Sequence, residues 1–176
     1  VDECFNDFLT DAERHTRKDL LESNPGLIIL RAYTKMYAVP GVRFGWCMTA
    51  DAALIEKLYH AGQPWNVSVI AQACAVAAAN EPDWAAETAK RIAEERRFLS
   101  DGLAAHGLKV FPGEANFLLF RSNDTGLHEK LAEHGIMIRN CDNYRGLSAG
   151  YYRVAVKTRE ASKCLLNAIK LIMENG

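Results

Sequence analysis

Residues 33 to 45 read Tyr33-Thr34-Lys35-Met36-Tyr37-Ala38-Val39-Pro40-Gly41-Val42-Arg43-Phe44-Gly45, and they follow the apolar run Leu27-Ile28-Ile29-Leu30. A short apolar run of this kind predicts a buried parallel strand over 27–33. Open α/β sheets take their ligands outside the carboxyl ends of such strands, which is where Lys35 falls. An amine buried beside another cation becomes a nucleophile towards carbonyl groups. Arg43 is placed to be that cation and to grip a phosphate, with Pro40-Gly41 turning the chain back so that both face one site. Taken alone, a surface lysine in a loop accounts for the same residues, because exposed lysines are common.

Working outward, residues 1–8 place apolar and aromatic residues among acids, as at a strand end running into a loop. Residues 10–24 are polar, and Asn24-Pro25-Gly26 signals a turn. Residues 42–48 read as a second strand. Asp51 is a helix cap, and the helix it opens stops near Gly62. A further helix is expected over 67–80, so rich in Ala and poor in charge that it predicts burial between other elements. Pro82 opens a helix running to His106-Gly107, about 36 Å long at 1.5 Å per residue, long enough to link two domains.

Beyond Gly107 the texture changes. Strands are expected over 108–111, 115–121, 136–139 and 152–156, with helices over 127–134 and 158–173. The fold class expected is therefore α/β for the first part, followed by a small α+β domain. The boundaries expected are 1–81 for part of a large α/β domain, 82–106 for the linking helix and 107–176 for the small domain.

Composition narrows the function. With 49% hydrophobic residues and 24% charged, the 176-residue chain has material for a core. A net charge of −1 gives no broad basic surface for nucleic acid, so no nucleic-acid partner is expected. No apolar run is long enough for a membrane span, and no membrane partner is expected. Cys4, Cys47, Cys74, Cys141 and Cys164 are odd in number and never spaced as CxxC, against a disulfide framework or a metal site and in favour of the cytoplasm. Val1 in place of a start methionine suggests a removed N-terminal segment or a piece of a longer chain.

Thr34-Lys35 followed by Pro40-Gly41-x-Arg43-x-Gly45 resembles the signature of the fold-type I pyridoxal 5′-phosphate (PLP) enzymes, the class I/II aminotransferase family. The resemblance implies the C-terminal part of a three-layer α/β/α large domain followed by the small α+β domain. It further implies that Lys35 carries PLP as a Schiff base, and that Thr34 and Arg43 bind its phosphate. Asp2-Glu3-Cys4-Phe5, with Asp2 33 residues ahead of Lys35, matches the family's Asp that keeps the pyridine nitrogen protonated. Phe5 departs from the family's usual Tyr, which removes a hydroxyl from the cofactor's O3′. Tyr151-Tyr152-Arg153-Val154-Ala155-Val156 is similar to the strand whose arginine, here Arg153, clamps the substrate α-carboxylate. Arg139 corresponds to a residue that helps hold a substrate phosphate.

Within the family, residues 63–68, 138–147 and 151–156 resemble the branch of the threonine-phosphate decarboxylases of cobalamin biosynthesis, close to the histidinol-phosphate aminotransferases. The expected substrate is a small phosphorylated amino acid or amine, with decarboxylation or amine transfer as the reaction and a homodimer as the full-length assembly. The family's phosphate turn, its ring-stacking aromatic and an Asn at O3′ are supplied by a segment outside this chain, so the chain alone is expected to be nearly inactive. Two other readings are a non-catalytic PLP-fold sensing domain and a truncated fragment.

Overall fold

The computed structural model describes residues 1–174 and divides into two compact units, Val1–Ala89 and a second beginning at Lys90. In the first, Asp2 forms an isolated parallel bridge with Leu30, and a 3₁₀ turn follows at Asn6–Phe8. A one-turn helix α1 (Ala12–His15) and a second 3₁₀ turn (Lys18–Leu20) occupy the polar stretch. Strand β1 (Ile29–Ala32) runs straight into the one-turn helix α2 (Tyr33–Met36). After a 3₁₀ turn at Pro40–Val42, β2 (Gly45–Met48) pairs antiparallel with β1, in the register Ile29↔Met48 to Ala32↔Gly45.

Two features differ from the sequence expectation. The apolar run has one parallel neighbour, the bridge at Asp2, and its extended partner β2 is antiparallel. Its side chains alternate, with Ile29 and Arg31 buried and Leu30 exposed, so only one face of the strand is covered within the unit.

Asp51 caps α3 (Ala52–Ala61) by accepting the Leu54 N–H at 3.1 Å. Ser68 does the same for α4 (Val69–Ala79), accepting from Ala71 at 3.1 Å. Burial of α4 was expected all round, but only Ala71 and Ala78 are buried, while Val69 is 80% exposed and Ile70 72%. An apolar composition states that a helix needs cover; it does not state which element supplies it.

Helix α5 spans Pro82–Ala105, and Gly107 follows with a left-handed backbone (φ 74°) that a helix C-terminus favours. The second unit then forms the antiparallel sheet β3-β4-β6-β5, from β3 (Lys109–Val110), β4 (Phe117–Arg121), β5 (Arg139–Asn140) and β6 (Tyr151–Ala155). Helices α6 (Leu127–Glu133) and α7 (Arg159–Glu174) complete it. One sheet face is covered: Leu118, Phe120, Tyr152 and Val154 pack with Leu99, Leu103, Leu131, Leu165 and Ile169 from the helices. Each large side chain so buried contributes about 1.5–3 kcal/mol. Gly150 (φ 90°) is required by space, since a Cβ there would lie 2.5 Å from the Ser122 carbonyl oxygen.

Candidate functional site

Asp2, Thr34, Lys35 and Arg43 lie in the first unit, Arg139 and Arg153 in the second. In the first unit the parallel bridge to Leu30 sets Asp2 beside β1. The Glu3 N–H donates to the Leu30 carbonyl at 2.9 Å. Asp2 is exposed, and its Oδ1 accepts the Cys4 N–H at 2.9 Å. The Cys4 thiol and that N–H hold the Asp2 carboxyl below the usual range, so the group is an ionised carboxylate at neutral pH. Burial, reinforced by the hydrogen bond and charge of Asp2, pushes the Cys4 thiol up to about 11, which keeps it protonated.

Lys35 was expected in a loop after a buried strand. It stands instead in α2, exposed, with Nζ 5.8 Å from the centre of the Phe5 ring. The Asp2–Phe5 segment and the lysine are thus neighbours, and an aromatic face rather than a hydroxyl meets the amine. Thr34 precedes it in the same helical turn and is half-buried. Tyr33 packs edge-on against Tyr37 and Trp46, with centroids at 4.9 and 4.6 Å, which anchors the start of α2.

The following loop holds two non-glycine residues in the left-handed region, Ala38 (φ 52°) and Arg43 (φ 57°). Each such residue costs on the order of 1–3 kcal/mol and concentrates at ligand sites. Arg43 is exposed, and its Nη1 donates to the Pro40 carbonyl at 3.0 Å. Gly45, the last glycine of the stretch, is paired with Ala32, and a Cβ on it would come within 3.0 Å of the Arg31 carbonyl oxygen.

In the second unit Arg139 and Arg153 are directly opposed on β5 and β6. The Arg153 guanidinium lies 5.1 Å from the Phe117 ring centre and that of Arg139 5.8 Å from Tyr144. Arg139 Nη2 also donates weakly to Asn143 Oδ1 at 3.5 Å. Among the described residues neither arginine is ion-paired with an acid. The sheet face opposite the buried core therefore carries two adjacent cations with open hydrogen-bond donors.

One constellation was missed by the sequence reading. Arg31 is buried, and its Nε and Nη2 meet Glu3 Oε2 at 3.1 and 2.9 Å while Nη1 meets Asp7 Oδ1 at 2.7 Å. Thr16 donates to Glu3 Oε2 at 2.9 Å, and the Arg17 N–H donates to Oε1 at 2.8 Å. The available signal was a charge sharing the core-facing side of a strand with Ile29, because a buried charge requires a partner.

An amine, an ionised carboxylate, a hydroxyl and a guanidinium suit a cofactor with an aldehyde, a ring nitrogen and a phosphate. The fold is that of a PLP-dependent class of protein. The chain belongs to the aminotransferase class I and II family, whose model matches residues 1–169. It is 34% identical over 176 residues to the threonine-phosphate decarboxylase of Salmonella typhimurium, covering 98% of this chain and 48% of that protein. The histidinol-phosphate aminotransferase of Clostridium acetobutylicum superposes with a TM-score of 0.93 at 29% identity, over all of this chain and 54% of that one. A histidinol-phosphate aminotransferase from Sinorhizobium meliloti, solved in complex with pyridoxal 5′-phosphate, matches with a TM-score of 0.78 at 22% identity, over 99% of this chain and 48% of its own. The chain spans about half the length of the curated relatives it matches. The family's cofactor is PLP. No helix among the described residues is long and apolar enough to cross a membrane, and no cluster of His, Cys, Asp and Glu among them is arranged to hold a metal ion.

Proposed function

We propose that the full-length protein carrying this chain is a PLP-dependent enzyme that acts on a phosphorylated amino acid, most like threonine-phosphate decarboxylase. The observation that carries this reading is the opposed pair Arg139 and Arg153. Two guanidiniums on one face suit a substrate with two anionic groups, a carboxylate and a phosphate, each met by a planar fork of donors. In this reading Arg153 takes the carboxylate and Arg139 the phosphate. The same relatives support a second reading, amine transfer from histidinol phosphate, in which Arg153 serves the carboxylate of the other amino-group partner.

When bound, PLP supplies a conjugated ring that takes up negative charge from the substrate Cα. Lys35 would hold the cofactor covalently, and its free amine would move protons at the substrate Cα. Asp2, held ionised by Cys4, keeps the proton on the ring nitrogen. Thr34 and Arg43 hold the cofactor's phosphate. A homodimer is the proposed assembly of the full-length protein.

The deciding experiment gives the full-length protein threonine phosphate and histidinol phosphate separately. CO₂ release from threonine phosphate is expected. Amine transfer from histidinol phosphate without CO₂ release from either compound sinks the decarboxylase reading.

A further inference from the structure

We infer that Arg31 and Glu3 are positioning residues for the cofactor site: their buried ion pair selects which of two adjacent acids, Asp2 or Glu3, is presented on the open side of β1. The inference rests on the proposed roles of Asp2 and Lys35 and adds the device that makes Asp2 the acid in place.

Side chains on an extended segment alternate between faces, and a slip of one residue exchanges them. Asp2 and Glu3 are consecutive acids beside β1, so the backbone bridge alone leaves two registers that each present a carboxylate. Arg31 separates them. Its guanidinium sits on the covered side, 9% exposed, and is met there by Glu3 and Asp7, with Thr16 Oγ1 at 3.5 Å from Nη2. Glu3 can satisfy this seat because its own two oxygens also receive the Thr16 hydroxyl and the Arg17 N–H. The shorter Asp2 side chain in its place would leave part of that set unmet, which is costly for buried charges. Ion pairs of this kind are weak sources of net stability, and fixing register is their best-attested use.

The same residue couples that choice to the lysine. Arg31 lies four positions before Lys35 on the segment that becomes α2, and its carbonyl oxygen is the atom that Gly45 approaches in β2. One side chain thus ties the Asp2 segment, the Thr16-Arg17 segment and the strand feeding Lys35. Asp7 contacts Arg31 directly, Lys18 acts on Asp7 through space, and the Arg17 guanidinium lies close by, donating to the Thr16 carbonyl at 3.4 Å.

The test uses the full-length protein with Arg31→Met, Arg31→Lys and Glu3→Gln, beside Asp2→Asn as a reference. Thermal melting, PLP dissociation and the pH midpoint of the bound cofactor's visible band are measured. PLP is expected to dissociate about tenfold more readily from Arg31→Met and Glu3→Gln, a change of about 1.4 kcal/mol. Their band midpoints should move in the direction seen for Asp2→Asn, with Arg31→Lys intermediate. A lowered melting temperature with cofactor affinity and midpoint unchanged overturns the inference, because that is a purely structural role. Should Arg31→Met fail to fold, Glu3→Gln decides by the same two readouts. Failure of the underlying reading looks different: Lys35→Ala would still fix PLP on borohydride reduction.

Discussion

Arg139 and Arg153 face each other across β5 and β6, and among the described residues no acid neutralises either. Like charges directly opposed in a sheet are destabilising by roughly 0.2–1 kcal/mol. The Phe117 and Tyr144 rings offset part of this. The sheet retains the pair at some cost to its own stability.

Inorganic phosphate should therefore raise the melting temperature of the chain, and raise it less in Arg139→Gln or Arg153→Gln. At low salt without phosphate, either variant should be equal to or more stable than the parent by about 0.2–1 kcal/mol. Calorimetric melts in phosphate and in a non-coordinating buffer check both statements. Equal phosphate shifts in all three proteins would remove the anion-binding reading of the pair.

Phe5→Tyr restores a hydroxyl on the ring that faces Lys35 Nζ at 5.8 Å. A donor placed at the cofactor's O3′ stabilises negative charge there. In the full-length protein the pH at which the bound cofactor's visible band changes should fall in this variant, as read by spectrophotometric titration. An unmoved midpoint would mean that the ring does not reach the cofactor.

Gly45→Ala places a methyl 3.0 Å from the Arg31 carbonyl oxygen, a rigid backbone atom. The two strands must part slightly, at a cost of about 1–3 kcal/mol. Urea denaturation should show this as a lowered midpoint with little change in slope. Gly41→Ala, with open space around it, should cost clearly less.

Glu3 gives the first unit an acid-sensitive element. Burial pulls its carboxyl up, but hydrogen bonds from the Arg17 N–H, Thr16 and Arg31 outweigh this and leave it lowered. The stability it contributes is fully present above the ordinary glutamate range of about 4.3 and is lost as pH falls through the lowered folded value. Asp7 acts with opposite sign, because burial raises its carboxyl. Glu3→Gln should flatten the acid limb of the stability profile, and Asp7→Asn should steepen it. Circular dichroism melts from pH 7 down to about pH 3 measure both.

The helices were legible because their signals are local. Asp51 caps where expected, and α3, α5 and α7 end within a residue or two of their periodic patterns, while the Ser68 cap of α4 falls one residue inside the expected helix. The strands were legible in place but not in extent. Tyr33 leaves β1 for α2 when its ring packs on Trp46, and 136–138 stays outside β5 because pairing with β6 begins at Arg139. The Arg31–Glu3 pair spans 28 residues, and the alternation of Arg31 with Ile29 signals a buried charge without naming its partner. The exposure of Lys35 was equally hidden, since an apolar run does not reveal how many of its faces are covered. The adjacency of Arg139 and Arg153 required a register that the thirteen intervening residues leave open.

That 28-residue separation also orders events in time. Closing a loop of this size costs about 3 kcal/mol of chain entropy, beyond a constant, before any contact repays it. The seat that sorts Asp2 from Glu3 therefore cannot exist while residues 1–7 are searching without β1. It appears only once β1 has been made and has come back to meet them. On a growing chain, Asp2 is synthesised well before the loop that presents it can close.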